Sequence, residues 1–170
     1  GVSQYKRLNL MISTLSEEEC PQYKVILLGQ SQAGKTKLLV RYLFGSYEDS
    51  GIQTHMVDCS YVRKAGAKFA YYDTAGQEVY RVILNIYLKG TDAALLLYNM
   101  ESMDSLKELG YYHKRVTEEI PNALLFVVGC KSDLPITAPI EMAKQKYRAE
   151  GYFETSAKLN TGVAELFGRV

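Results

Sequence analysis

Lys35 and Thr36 close the stretch "GQSQAGKT", residues 29–36, which has glycines at 29 and 34. Two glycines, a lysine and a hydroxyl at this spacing suit the binding of a phosphate. The glycines let the backbone curl so that its N–H groups face an anion, and a helix starting there adds partial positive charge. Lys35 can reach the β- and γ-phosphates of a nucleotide, and the Thr36 hydroxyl can ligate Mg²⁺. A strand-to-helix turn with a chance lysine is the competing account. Three more short polar motifs have matching chemistry. "YYDTAGQE" supplies Asp73, a carboxylate able to hold Mg²⁺ through water, and Gly76, whose N–H can approach a γ-phosphate. "VVGCKSD" supplies Lys131 and Asp133, and "ETSAK" supplies Ser156, Ala157 and Lys158.

These motifs act together only if a scaffold brings them to one place. "YKVILLG" (23–29) reads as a buried strand, and a helix pattern follows from Lys35 with Leu38, Leu39, Tyr42 and Leu43 on one side. "GSYEDSGIQTH" (45–55) is polar and reads as a loop. "MVDCSYV" and "KFAYYD" read as two strands of a hairpin around "RKAGA". "DAALLLY" (92–98), "LLFVVGC" (124–130) and "YFET" (152–155) are further strands, with helical patterns at 102–119, 139–150 and from 162. Strands alternating with helices imply a mostly parallel sheet covered on both faces. In such sheets ligands sit beyond the carboxyl ends of the strands, where all four motifs fall.

Composition sets the outer limits. The chain has 170 residues, 47% hydrophobic and 23% charged, which suits one globular domain with a substantial core. A formal net charge of +1 gives no electrostatic case for a nucleic-acid partner. Cys20, Cys59 and Cys130 are odd in number and widely spaced, which argues against a disulfide framework and for a reducing, cytoplasmic compartment. No apolar run reaches membrane-spanning length, and no signal-peptide pattern opens the chain.

From about residue 22 to 170 the sequence resembles the Ras superfamily of small GTPases. "GQSQAGKT", "DTAGQE", "CKSD" and "TSAK" match the family's phosphate, Mg²⁺ and guanine motifs in order. "QTHMVDCSYV", "YYDTAGQEVYR" and "YLKGTDAALLLYNM" make it most similar to the Rab branch. The resemblance implies an α/β P-loop small GTPase fold: a six-stranded, mostly parallel sheet with one antiparallel strand and helices on both faces. It implies an N-terminal extension (1–21) before a GTP-binding domain (22–170). It also implies a switch that binds GTP or GDP with Mg²⁺ and hydrolyses GTP slowly, in vesicle trafficking. Two rivals are a nucleotide-binding interaction module without turnover and a Ras-like signalling GTPase. A third, a small ATP-dependent kinase, is disfavoured by Asp133.

The resemblance also assigns roles. Gly29, Ser31, Gln32, Ala33, Gly34, Lys35, Thr36 and Lys37 form the phosphate-binding set. Thr36, Thr54 and Asp73 are the Mg²⁺ ligands, and Thr54 and Gly76 close on the γ-phosphate. Gln77 orients the attacking water, with Lys35 stabilising developing charge. Asp133 accepts from the guanine N1–H and amino group, Lys131 lies along the base, and the Ala157 N–H donates to O6. Ser156 and Lys158 complete that loop, and Tyr47 packs against the base. Effectors, exchange factors and activating proteins are expected on residues 45–60 and 74–88.

Departures from the pattern are equally specific. Cys130 stands where the resembled family has asparagine, less often threonine, and a thiol is a weak donor. Gln32 replaces a frequent glycine, Gly51 a frequent tyrosine, and His55, Met56 and Asn99 are unusual. Together they imply weaker binding or faster nucleotide exchange. Leu8, Met11, Ile12 and Leu15 fall at helical spacing, a pattern open to docking on a membrane or partner but more simply a frayed tail or a piece packed on its own domain. No cysteine follows the last helix pattern, so the residues given contain no prenylation motif.

Overall fold

The computed structural model describes residues 4, 6, 20–48, 59–74 and 84–170. In chain order the elements are β1 (Gln22–Leu28), α1 (Lys35–Phe44), β2 (Cys59–Lys64), β3 (Ala67–Asp73), α2 (Leu84–Leu88) and β4 (Ala93–Asn99). They continue with α3 (Met103–Glu119), β5 (Leu124–Cys130), α4 (Ile140–Lys146), β6 (Gly151–Glu154) and α5 (Val163–Arg169). The expected strands and helices recur with shifts of a few residues at their ends.

Six strands form one sheet in the order β2-β3-β1-β4-β5-β6. Among the described strands only β2 runs antiparallel, paired with β3 through a turn at Ala65 and Gly66. All other pairings are parallel, so the expected sheet is the one observed. From β1 the chain builds β3 on one side and then β4 on the other. The carboxyl end of β1 is therefore the switch point where a crevice opens.

Strand residues alternate between two cores. Ile26, Leu28, Leu96, Tyr98 and Val127 face α3 and α4, packing with Leu106, Leu109, Ala143 and Tyr147. Val25, Leu27, Leu95, Leu97 and Val128 face α1 and α5, packing with Leu38, Leu39, Leu166 and Phe167. Because both faces are covered, the strands read as unbroken apolar runs. Each fully buried leucine contributes about 1.5–3 kcal/mol.

Two local results depart from the sequence reading. The helix expected over 139–150 ends at Lys146, because Tyr147 turns extended (φ −127°). Its buried hydroxyl donates to the Leu106 carbonyl at 2.8 Å, and that tertiary bond replaces the last helical turn. The short helix α2 had no counterpart in the sequence reading. It is anchored by buried Leu84 and Leu88, and Lys24 Nζ donates to the carbonyls of Tyr87 and Lys89 at its end.

Candidate nucleotide-binding site

The site begins where β1 runs out. Gly29 has φ +147°, and a Cβ there would lie 2.2 Å from the Leu97 carbonyl oxygen of β4. Only glycine lets the chain leave β1 so close to its neighbour. The loop closes with the Ala33 N–H donating to the Gln30 carbonyl at 3.0 Å. Gly34, at φ +103°, then serves as the N-cap of α1. This is the strand, glycine loop and helix start that a phosphate cradle requires.

Lys35 is buried, and its ammonium donates to the Gly29 and Gln30 carbonyls at 2.5 and 2.7 Å. It folds back over the loop it helps to shape. Thr36 Oγ1 donates to Asp73 Oδ2 at 2.5 Å, and both groups are buried. Asp73 arrives there because β3 pairs with β1 in the register Leu27↔Asp73. Thr74 fixes the strand end by donating to the Leu27 carbonyl at 2.6 Å. Two hard oxygen groups converging beside a phosphate loop fit Mg²⁺, which takes one or two protein ligands and completes its shell with phosphate and water. Among the described residues no cluster of three or more His, Cys, Asp or Glu forms a dedicated metal cage.

The second half of the site lies at the ends of β5 and β6. A cavity of about 170 Å³ is lined by Gly34, Lys37 and Tyr47 on one side and by Cys130, Lys131, Asp133, Ala157 and Lys158 on the other. Lys131, at φ +60°, donates from Nζ to the Gln32 carbonyl at 3.0 Å, joining this half to the phosphate loop. Asp133 Oδ1 accepts from Ser156 Oγ at 2.7 Å, which aims the carboxylate. Lys37 Nζ stands 5.4 Å from the centre of the Tyr47 ring.

Cys130 is buried where it borders the cavity. A Cβ on Gly34 would lie 3.6 Å from the Cys130 Cβ, so the thiol adjoins the phosphate loop. Burial pushes its pKa up to about 12, against smaller opposite effects from Thr155, Lys131 and Lys35. It is a neutral thiol at any physiological pH.

Most residues expected to bind therefore meet at one sheet edge: Gly29, Gly34, Lys35, Thr36 and Asp73 in the phosphate half, and Cys130, Lys131, Asp133, Ser156 and Ala157 in the other. Ser31 and Gln32 lie exposed on the loop and Ala33 is buried within it. Thr54, Gly76 and Gln77 lie outside the described residues, as do Gly51, His55, Met56 and the apolar positions of the N-terminal extension. Sequence reading missed Arg41 and Leu134. Leu134 lines the cavity, and Arg41 hydrogen-bonds to Ala157 and Lys158. Nothing in the local pattern of α1 separates Arg41 from an ordinary helix-surface arginine.

Residues 24–170 match the profile of the Ras family. The chain belongs to the Ras family. This Ras-family chain is 33% identical over 155 residues to Ras-related protein Rab-5A of Dictyostelium discoideum, covering 86% of the chain and 77% of that relative. It is 34% identical over 160 residues to human Ras-related protein Rab-17, covering 87% and 74%. To mouse Ras-related protein Rab-21 it is 33% identical over 156 residues, covering 85% and 69%. Within the family it is Rab-like, and its relatives are small GTPases. Among the described residues no helix is long and apolar enough to cross a membrane.

Proposed function

We propose that this Rab-like chain is a guanine-nucleotide switch that binds GTP and GDP with Mg²⁺, hydrolyses GTP slowly and regulates vesicle trafficking on the cytosolic face of endomembranes. The observation that carries this reading is Asp133, held by Ser156 in a cavity that opens onto the phosphate loop. A fixed carboxylate there accepts two hydrogen bonds from the N1–H and amino group of guanine. Adenine offers no such pair.

Each residue then has a task. The loop amides and the start of α1 hold the phosphates, and Lys35 places positive charge over the β–γ bridge. Thr36 and Asp73 would hold Mg²⁺ between them. When bound, Mg²⁺ neutralises charge developing on the phosphate oxygens. Gln77 orients water for attack, a role that its match to the family's glutamine in "DTAGQE" supports. Lys131, Ala157 and Tyr47 enclose the base. Residues 45–60 and 74–88 are the surfaces read by effectors, exchange factors and activating proteins, because the γ-phosphate orders such segments and its loss releases them.

The test is to identify the nucleotide that co-purifies with the full chain, then follow single-turnover GTP hydrolysis with and without Mg²⁺. GDP or GTP in the site, displaced by GTP and not by ATP, with Mg²⁺-dependent turnover, is the expected outcome. Binding without turnover would make the chain a nucleotide-dependent interaction module. Displacement by ATP would overturn the guanine reading.

A further inference from the structure

Arg41 stands in α1, six residues beyond Lys35, with its guanidinium half-buried against the loop after β6. It makes three bonds to backbone carbonyls. Nε donates to Ala157 at 2.7 Å, Nη2 to Lys158 at 3.1 Å and Nη1 to Gly45 at 2.8 Å. The guanidinium fork is planar and its donors are fixed, so it holds two successive carbonyls in one arrangement, which an ammonium cannot. The bonds are charge-assisted and stronger than neutral ones.

The same loop is pinned from its other side. The Ser156 carbonyl accepts from the Thr161 N–H at 3.1 Å, which fixes the peptide plane containing the Ala157 N–H. In a trans peptide that N–H points opposite to the carbonyl. The next peptide plane is the one Arg41 holds. Both planes flanking the Ala157 Cα are thus set, one by the loop itself and one by the helix that starts at the phosphate loop.

We propose that Arg41 is a positioning residue for the nucleotide: it couples the phosphate-holding helix to the base-reading loop, aims the Ala157 N–H at the 6-oxo group of a guanine nucleotide and so sets how long the nucleotide stays bound. This rests on the guanine-switch reading. Arg41 is bonded to backbone carbonyls, and it acts through Ala157.

The experiment loads the full chain with a fluorescent GDP analogue and follows its release from wild type, Arg41→Met and Arg41→Lys. Release of the corresponding 2-aminopurine riboside diphosphate, which has no 6-oxo group, is measured in parallel. Arg41→Met should release GDP about tenfold faster, the equivalent of losing about 1.4 kcal/mol of binding. Arg41→Lys should release it about threefold faster, because a point charge cannot span both carbonyls. For 2-aminopurine riboside diphosphate the acceleration should fall below about twofold in either variant, since the bond being aimed is absent. An unchanged GDP off-rate overturns the proposal. Equal acceleration for both nucleotides also overturns it, because that is general loosening of the fold. Where Arg41→Met fails to fold by circular dichroism, a wild-type GDP off-rate in Arg41→Lys overturns it alone. A wild-type chain that retains no guanine nucleotide overturns the parent reading first, and this inference with it.

Discussion

Thr36 Oγ1 and Asp73 Oδ2 lie 2.5 Å apart, although 37 residues of chain separate them. The first lies in the opening turn of the helix after the phosphate loop, and the second ends the strand paired to β1. A hydroxyl and a carboxylate are thereby buried together with their oxygens converging. Burying such a pair away from its ligands costs free energy unless each satisfies the other, which the short bond achieves. On the proposed reading these are the two oxygens that would take a divalent cation.

Thr36→Asn should therefore weaken Mg²⁺ coordination and shift preference towards GDP. GTP affinity relative to GDP should fall at least about tenfold. Titration of both nucleotides at fixed Mg²⁺ checks this. An unchanged GTP-to-GDP ratio would exclude Thr36 as a metal ligand.

Gln77→Leu should leave GDP binding close to wild type and lower GTP hydrolysis at least about tenfold, a barrier increase of about 1.4 kcal/mol. Leucine cannot orient a water molecule. Single-turnover hydrolysis measures it directly, and an unaltered rate would remove Gln77 from the catalytic role.

Cys130→Asn should tighten GDP binding. The thiol sits beside Gly34 of the phosphate loop, where an amide could donate to guanine N7 or brace the loop. One good hydrogen bond contributes about 0.5–1.5 kcal/mol and an unsatisfied partner costs about 1–3, so the gain should lie between a few-fold and about a hundred-fold. It should appear as slower release of fluorescent GDP. If an analogue lacking N7 shows the same gain, loop bracing is the cause. Release as fast as wild type would mean that other residues already supply the contact.

Cys130 also predicts a pH dependence of stability. Its pKa rises from an ordinary 9.0 to about 12 in the fold. A raised pKa means the unfolded chain loses the proton first as pH climbs. Its contribution is complete below pH 9 and is lost progressively between about pH 9 and 12, at about 1.4 kcal/mol per pH unit. Urea unfolding of wild type and Cys130→Ala should therefore diverge in slope above pH 9, with wild type falling more steeply. Lys24 and Lys64, lowered by burial, act in the opposite sense but equally in both proteins, so they cancel in the comparison. Parallel stability curves would show that Cys130 is not held as a buried neutral thiol.

The sequence alone determined what depends on local chemistry. Strands buried on both faces must be continuous apolar runs, so β1, β4 and β5 were legible to within a residue or so. The Gly29 and Gly34 spacing marks the loop, because both positions take positive φ and Gly29 also passes too close to the Leu97 carbonyl for any side chain. Tertiary structure decided everything that depends on which distant segments become neighbours. The sheet order sets Asp73 beside Thr36 and Cys130 beside Gly34. It also brings Arg41 to Ala157, 116 residues away, and no property of α1 by itself marks that arginine. The end of α4 belongs to the same class: its helical pattern runs on past Lys146, but burial of Tyr147 and its bond to Leu106 stop it. Propensity and periodicity act within a turn or two of chain. Long-range hydrogen bonds are set by strand order and crossover packing, which no single segment encodes.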